Sequence, residues 1–263
     1  MPPSRYIALT SLTFSLCISL RAYASVTTTL IFNTQEFPPF SYQEKGVVKG
    51  PAAEIINRVC QAMAIECRLR LLPWSRSQKE VREGKANAMF VIGWNKKRAQ
   101  WLYFSPPLMQ TEYGFFVHQS NPLTYNSPES IQGYNIGVFG PSNTSRSLEK
   151  IQHTMKQQSL NPISITMKHD DIPVFKMLDG NNRGLNSVFS NRAVGNAIIK
   201  AHELKHLRYA GTTKKLNYFI GFSMAYNDKH IINQFNHTYK TLYQQGTITA
   251  ILDRYGIKSA ALE

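Results

Sequence analysis

Acidic residues are scarce in this sequence: 16 Asp and Glu stand against 30 Lys and Arg, a formal net charge of +14 over 263 residues. Charged residues make only 17% of the chain and hydrophobic residues 43%, which excludes a disordered chain. Glycine (15) and proline (13) are too few for a fibrous protein. The length suits one large domain or two small ones, each with its own core.

Long hydrophobic runs are also missing, except for one near the N-terminus. Arg5 precedes the apolar stretch 7–20, and the small-residue pattern Ala22-Tyr23-Ala24 follows it. This order is typical of a secretory signal peptide, whereas Ser and Thr interrupt a run that is short for a membrane anchor. We therefore predict that residues 1–24 are a cleaved signal peptide. The exported chain would keep 28 basic and 16 acidic residues, a net charge of +12.

Cysteine is nearly absent, and cleavage would remove Cys17, which leaves Cys60 and Cys67. An even pair in an oxidising compartment suggests a disulfide. Residues seven apart on one helix are separated by about 10 Å, whereas a disulfide needs Cα atoms within about 7 Å. If the bridge forms, the helix predicted around 54–62 must end before Cys67 and the chain must turn back. Two buried free thiols are the alternative.

Strand-like and helix-like segments alternate along the rest of the chain, which is typical of α/β layers with largely parallel sheets. The predicted strands are 29–33, 67–72, 88–92, 113–117, 135–139, 163–167, 187–189 and 219–224. The predicted helices are 54–62, 77–83, one from Arg146, one capped by Asp171, 192–204, 229–246 and 247–255. The pattern restarts at Asn135, which fits two lobes around a cleft better than independent domains.

Several short motifs then resemble the bacterial extracellular solute-binding proteins of family 3, which include periplasmic receptors for polar amino acids. They occur in the family's order from about Thr29 to Tyr255. They are Phe37-Pro38-Pro39-Phe40 followed by Lys49-Gly50, Gly84-Lys85-Ala86-Asn87-Ala88, Lys97-Arg98 followed by Phe104-Ser105-Pro106, and Ile136-Gly137-Val138. The spacing of Cys60 and Cys67 also matches a disulfide of the histidine and lysine/arginine/ornithine receptors.

The resemblance implies a periplasmic-binding-protein fold of type II, with two α/β lobes joined by two hinge strands. Lobe 1 would comprise 25–116 and 221–263, and lobe 2 would comprise 117–220. The lobes would close on a small solute by hinge motion, and the monomeric periplasmic protein would deliver it to an inner-membrane ABC permease. No catalysis, cofactor or metal is implied. Nucleic-acid binding is not expected of an exported chain without clustered base-reading aromatics.

The resemblance also implies which residues hold the solute. Arg98 would grip a carboxylate, because a guanidinium can donate two parallel hydrogen bonds; the alternative is a solvated arginine in a basic run. The loop Ser142-Asn143-Thr144, which follows Phe139, would bind an anion with backbone N–H groups, or would only cap the next helix. Phe37 and Trp74 would form aromatic walls, or would belong to the core.

Two departures from the family concern the ligand. Val91 and Gly93 stand where amino-acid receptors have hydroxyl residues, and Asn191 stands where they have an aspartate for the α-ammonium group. A zwitterion would lose its ammonium partner in a desolvated cleft, which costs several kcal/mol. We therefore predict a carboxylate-bearing solute, either an organic acid or an unusual amino-acid derivative. Gly93 and Asn191 stay among the predicted ligand-binding residues.

Three other functions stay open. His202, Glu203 and His206 read H-E-x-x-H on a predicted helix, which would suit a zinc protease. A cyclohexadienyl dehydratase shares the implied fold, and Glu36, Glu112 or Asp170 would have to serve as its acid or base. The third alternative is a ligand-sensing lobe for a membrane partner.

Overall fold

The computed structural model describes residues 29–181, 184–226 and 228–262. The predicted signal peptide, residues 1–24, lies outside these residues, so export and cleavage stay predictions. In the part of the chain that the structure describes, no helix is both long and apolar enough to cross a membrane.

Eleven strands and eight α-helices form in the described residues. The strands are β1 (Thr29–Thr34), β2 (Tyr42–Glu44), β3 (Val47–Lys49), β4 (Glu66–Leu71), β5 (Ala88–Gly93), β6 (Leu102–Phe104), β7 (Met109–His118), β8 (Asn135–Phe139), β9 (Ser164–Lys168), β10 (Ser187–Asn191) and β11 (Leu207–Ser223). The helices are α1 (Pro51–Ala62), α2 (Trp74–Arg82), α3 (Lys96–Ala99), α4 (Asn143–Gln157), α5 (Asp171–Asp179), α6 (Arg192–Ala201), α7 (Lys229–Gln244) and α8 (Thr247–Arg254).

Nine of the strands form one mixed sheet in the order β4-β1-β5-β11-β7-β10-β8-β9, with β6 paired to β11 off this path. Parallel pairs occupy both ends: β1 with β4 and β5, and β8 with β9 and β10. The long strands β7 and β11 run antiparallel between them, from Leu207 opposite His118 to Tyr218 opposite Met109. This arrangement confirms the predicted α/β fold of two lobes. The exact lobe boundaries stay a prediction.

Buried side chains of the described residues form three hydrophobic clusters. One is centred on Phe32, which packs edge-on against Phe222 and lies 5.7 Å from the Phe235 ring of α7. Another lies beneath α4 and is centred on Phe115 and Phe189, whose rings are 5.0 Å apart. Helices therefore cover both halves of the sheet, and the cluster that contains Phe32 also includes Phe116 of β7 and Phe175 of the second lobe.

The end of α1 brings the two cysteines together. Met63 caps the helix, Ala64 has a φ of 53°, and the amide of Ile65 donates to the carbonyl of Cys60 at 3.1 Å. These are the features of a Schellman motif, which reverses the chain after a helix. The Cα atoms of Cys60 and Cys67 are consequently 6.1 Å apart, and the two residues form a disulfide. The bridge and the early end of the helix are both confirmed, and the free-thiol alternative is wrong.

The end of α6 corrects the zinc-protease reading. The helix ends at Ala201, and Glu203 has a φ of 52°. The amide of Leu204 then donates to the carbonyl of Ile199 at 3.0 Å, again a Schellman motif, and Leu204 is buried. The predicted helix 192–204 is therefore too long, and His202 and His206 are not one helical turn apart. Across 29–181, 184–226 and 228–262, no group of three or more His, Cys, Asp or Glu is placed to hold a metal ion.

Smaller differences occur at three other element ends. Asp170, not Asp171, caps α5, because its carboxylate accepts from the amide of Ile172 at 3.0 Å. Helix α4 begins at Asn143, three residues before the predicted Arg146. Strand β11 begins at Leu207 and extends to Ser223, far longer than the predicted 219–224, because its first half pairs with β7.

Candidate functional site

A cavity of about 810 Å³ lies where β5, α3, α4 and β11 meet, between the two halves of the sheet. Three of the nine predicted ligand-binding residues line it: Gly93, Arg98 and Asn143. The other six are not part of the lining: Phe37, Trp74, Phe139, Ser142, Thr144 and Asn191. A volume of this size suits a small organic solute, for which pockets of roughly 300–1,000 Å³ are usual.

Strand β5 enters the cavity through a bulge. Its residue Val91 has a φ of 59° and is skipped in the pairing with β11, where Ile220 lies opposite Phe90 and Phe219 lies opposite Ile92. A β-branched residue in the left-handed region is a strained exception, and such positions concentrate at functional sites. The bulge shifts the register of the last residues of β5, so that Gly93 lies on the cavity wall.

Arg98 is a buried cation in the short helix α3. Its side chain is only 8% exposed; Nη1 donates to the carbonyl of Gly93 at 2.8 Å, and the guanidinium lies over the Trp74 ring at 5.2 Å. No described carboxylate lies within 4.0 Å of it. Burial, followed by the charge of Arg146, lowers its pKa to about 10. The solvated-arginine alternative does not hold, and the guanidinium retains donors for an anion.

The two aromatic candidates have different surroundings. Trp74 is the first residue of α2 and forms a face for Arg98. Phe37 packs against Phe40, with ring centroids 5.6 Å apart, and edge-on against Tyr218 at 5.9 Å. Both rings are half-buried, so each contributes to the packing of the first lobe and also stands next to a polar group of the cleft.

Asn191 is the centre of a buried hydrogen-bond network. Its Nδ2 donates to the Tyr218 hydroxyl at 3.0 Å and to Thr111 Oγ1 at 2.8 Å. Its Oδ1 accepts from the amides of Ala193 and Val194 and thereby caps α6. The amide is thus fully occupied by the protein, and it carries no charge for a ligand ammonium group.

The start of α4 is built by a reciprocal cap. Ser142 Oγ accepts from the amide of Ser145 at 3.0 Å and donates to the carbonyl of Phe139 at 2.8 Å, while Ser145 Oγ accepts from the amide of Ser142. Ser142 therefore caps α4, which is the role that the capping alternative gave it. Thr144 lies beside Tyr113, and its hydroxyl partly offsets the rise that burial causes in the pKa of that phenol.

Asn143 connects the two walls of the cleft. Its Oδ1 accepts from Asn95 Nδ2 at 3.3 Å and from Arg146 Nη2 at 2.8 Å. Its Nδ2 lies 3.1 Å from the point that a Cβ on Gly93 would occupy. Glycine at 93 therefore lets α4 approach β5 more closely than any larger residue would.

Sequence reasoning missed two tyrosines and one acid. Tyr113 and Tyr218 lie in strands that read as core, and burial raises the pKa of both phenols. Asp171 also acts on them: its charge raises both pKa values further, and its own pKa is raised to about 7 by burial. Thr111 and Tyr113, two apart on one face of β7, were the pattern that could have revealed the network.

The acids predicted for a dehydratase are engaged elsewhere. Glu36 accepts from the amide of Gln43 at 3.1 Å, Glu112 pairs with Arg192 at 2.8 Å, and Asp170 caps α5. Asp171 is the partly buried acid of this region, and its carboxylate accepts from Ser190 Oγ at 3.2 Å. It does not line the cavity.

Solved structures of known proteins share this fold. A histidine kinase sensor domain similar to periplasmic binding proteins has a TM-score of 0.75 at 17% identity, covering 89% of this chain and 98% of its own. A structure from a study of glutathione import through a cystine ABC importer of Streptococcus mutans has a TM-score of 0.76 at 19% identity, with 89% and 98% covered. An ancestral arginine-binding protein bound to arginine has a TM-score of 0.72 at 17% identity, with 86% and 97% covered.

Sequence comparison adds the family. The arginine-binding periplasmic protein of Mannheimia haemolytica is 22% identical over 232 residues, which are 86% of this chain and 90% of that protein. The family model for bacterial extracellular solute-binding proteins, family 3, matches residues 30–258, the span over which the sequence motifs predicted it. The chain therefore belongs to the bacterial extracellular solute-binding proteins of family 3.

Proposed function

We propose that this protein is a periplasmic solute-binding protein that captures a small, carboxylate-bearing anion between its lobes and delivers it to an inner-membrane ABC permease. The observation that carries the proposal is Arg98, a buried guanidinium at the cavity with no carboxylate partner among the described residues. An isolated charge is costly to bury. A ligand carboxylate would supply the counter-charge and two strong hydrogen bonds.

The second wall supports the same ligand. Asn143 and Thr144 begin α4, and the partial positive charge of a helix start favours an anion. Asn143 is already in contact with Asn95 across the cleft. A carboxylate held by Arg98 and by the start of α4 would connect the lobes and stabilise the closed form.

An α-amine is not required for this binding mode. Asn191 is neutral, and its amide is occupied by Thr111 and Tyr218. Asp171 is the acid nearest to this network, but its raised pKa of about 7 leaves it only partly ionised at neutral pH. Relatives named for arginine binding and glutathione import support a carboxylate ligand, because both of those solutes carry one; both also carry an α-amine, so the choice between amino acids and desamino acids rests on Asn191 alone.

Binding without catalysis is favoured over the dehydratase alternative, because Glu36, Glu112 and Asp170 have other partners and Asp171 does not line the cavity. A ligand-sensing role is the second candidate, since a kinase sensor domain has this fold. Pull-down of membrane complexes by ligand-loaded protein separates the two: recovery of a permease supports transport, and recovery of a kinase supports sensing.

The ligand test is a thermal-shift screen over amino acids and their desamino acids, followed by calorimetry. We expect carboxylates without an α-amine to bind at least as well as their amino-acid analogues. Arg98→Ala should weaken binding by about 2–5 kcal/mol, the usual range for breaking a buried charge pair.

Asn191→Asp should shift the preference toward amino acids. The new carboxylate can accept from both hydroxyls and both amides that now surround Asn191, so the fold should tolerate it. Asp171→Asn is the control, because it shows whether Asp171 already serves an ammonium group. Tight binding of an ordinary L-amino acid by the unmodified protein, with its desamino analogue inert, would contradict the proposal.

A further inference from the structure

The cavity between the lobes is lined far more heavily by cations than the chain as a whole. Seven of its eighteen lining residues are Lys or Arg, against 30 of 263 in the sequence. They are Arg82, Lys96, Lys97, Arg98, Arg146, Lys150 and Lys214. No Asp or Glu belongs to this lining in the part of the chain that the structure describes. One carboxylate on Arg98 would leave six of these charges without a counter-ion.

Three of the extra cations contact neutral groups. Arg82 lies over the Trp101 ring at 4.7 Å, Arg146 donates to Asn143 Oδ1, and Lys214 Nζ donates to Ser147 Oγ at 2.9 Å. Every ion pair found in residues 29–181, 184–226 and 228–262 involves other side chains. Such a set differs from an ordinary basic surface, where acidic neighbours are interspersed.

Both walls of the cleft carry these charges. Arg82, Lys96 and Lys97 come from α2 and α3, while Arg146 and Lys150 come one turn apart from α4, opposite them. These side chains are exposed, and only Arg98 among the seven is buried, so the repulsion between the walls acts through solvent and weakens with salt. The mutual effect is visible in two groups: burial and then Arg146 lower the pKa of Arg98, and burial and then Lys150 lower the pKa of Lys214.

We propose that the cavity binds an organic solute with at least two anionic groups, one on Arg98 and a second, carboxylate or phosphate, on Lys150 and Lys214. This inference rests on the proposed function, because it assigns the first group to Arg98. Lys150 and Lys214, together with the neighbouring Arg146, are called the second anion site below. A carbon skeleton between the two groups would lie against the aromatic lining, which consists of Trp94, Trp101, Tyr113 and Phe219.

Closure gives the second anion site a role in selectivity. Bringing α4 toward α3 places cations near cations, which opposes closure. A dianion between them replaces repulsion by attraction on both walls, whereas a monoanion neutralises only one of them. The receptor would therefore discriminate by charge count as well as by shape.

The test is calorimetry at fixed ionic strength with a matched series: butyrate as monoanion, glutarate as dianion, tricarballylate as trianion and 3-phosphoglycerate as phosphate-bearing acid. We expect at least tenfold tighter binding of one or more multivalent acids than of butyrate. A higher affinity for 3-phosphoglycerate than for the carboxylates would assign phosphate to the second anion site, and the reverse order would assign carboxylate.

The double variant Lys150→Gln/Lys214→Gln should lower the affinity for the multivalent acid at least tenfold while changing that for butyrate less than threefold. Lys156→Gln, on the same helix but outside the cavity lining, is the control of equal charge type and should change neither. Thermal midpoints and circular dichroism of the variants report whether they fold.

Each outcome bears on one of the two proposals. Equal affinities across the series, or equal losses for butyrate and the multivalent acid in the double variant, would overturn the second anion site and leave the Arg98 site intact. Multivalent binding that survives Arg98→Ala but is lost in the double variant would overturn the proposed role of Arg98. If no acid in the series binds, both proposals are wrong.

Discussion

Among the carboxylates of this region, Asp171 has the pKa that burial raises most. Burial raises its pKa to about 7, while the hydrogen bond from Ser190 opposes that rise. The same carboxyl in an unfolded chain has a pKa near about 3.9. Between those values the unfolded chain has lost the proton and the folded protein still holds it. The free energy of unfolding therefore falls as the pH rises from about 4 to about 7, and it changes no further above that.

Asp171→Asn should remove this slope. We expect the variant to be more stable than the parent by about 1–2 kcal/mol at pH 8, a value reduced by the favourable charge–helix interaction at the start of α5, with the gap closing toward pH 4. Urea denaturation at pH 4, 6 and 8 measures it. Asp170→Asn is the matched control, because that side chain is exposed and asparagine caps a helix equally well. A gap that is constant with pH would contradict the prediction.

At the scale of single residues, part of the candidate site can be predicted from the sequence and part of it cannot. Arg98, Gly93 and Asn143 could be placed at the cavity from the sequence, because the family resemblance aligns each of them with a ligand-contacting position. Tyr218 and Asp171 could not: a tyrosine in a strand and an aspartate at a helix start are both ordinary until the packing buries them. Their roles depend on contacts with residues more than 15 positions away, such as Asn191 and Ser190, which no local pattern encodes.

Among the elements, α1 and β4 are the pair that a covalent bond joins. The Cys60–Cys67 bridge joins residues seven positions apart, around the turn Met63-Ala64-Ile65. Its removal by Cys60→Ser/Cys67→Ser should lower the free energy of unfolding by about 2 kcal/mol, chiefly through the freedom gained by the unfolded chain. Urea unfolding with and without reductant measures this. The parent should lose stability on reduction and the double variant should not.

Two alkylatable thiols in native, non-reduced protein, detected by mass spectrometry, would show that the bridge is absent. A double variant with unchanged stability would show instead that the turn alone holds α1 against β4. Cys60 is buried, so Cys60→Ala/Cys67→Ala serves as a control for the cost of placing a serine hydroxyl there.

Helix ends were the least predictable feature of the elements. Both α1 and α6 end in Schellman motifs whose left-handed residue is not glycine but Ala64 or Glu203. The glycine that usually marks a helix end is therefore missing from the sequence. A prediction from apolar periodicity alone consequently extends α6 past its true end. What ends each helix is a buried or half-buried residue after the turn, Ile65 or Leu204, which packs against its lobe. The zinc-site hypothesis arose from that overextension, because it needed His202 and His206 on one helix.

For the whole molecule, the expected motion is hinge closure about β7 and β11. Gly93 and Asn143 are in close approach across the cleft, so Gly93→Val should hold the walls apart. We expect small-angle scattering to show compaction when the parent is saturated with its ligand, and a smaller change or none in the variant. Gly180→Ala, where φ is −71° and an added Cβ meets the nearest atom at an ordinary 3.5 Å, controls for a general effect of replacing glycine. No compaction of the parent at saturation would indicate a rigid scaffold.

The position of β11 in the sheet has a consequence for synthesis. It is the last strand of the chain to be made, yet it lies between β5 and β7. In a nascent chain that has not reached residue 207, the edges of β5 and β7 that pair with β11 are open. Phe32 also lacks its packing partners Phe222 and Phe235 at that stage. Open edges attract wrong partners, and contacts that far apart along the chain form slowly. Neither lobe can therefore complete its fold until β11 has been made, and a chaperone has that whole interval in which to bind the chain.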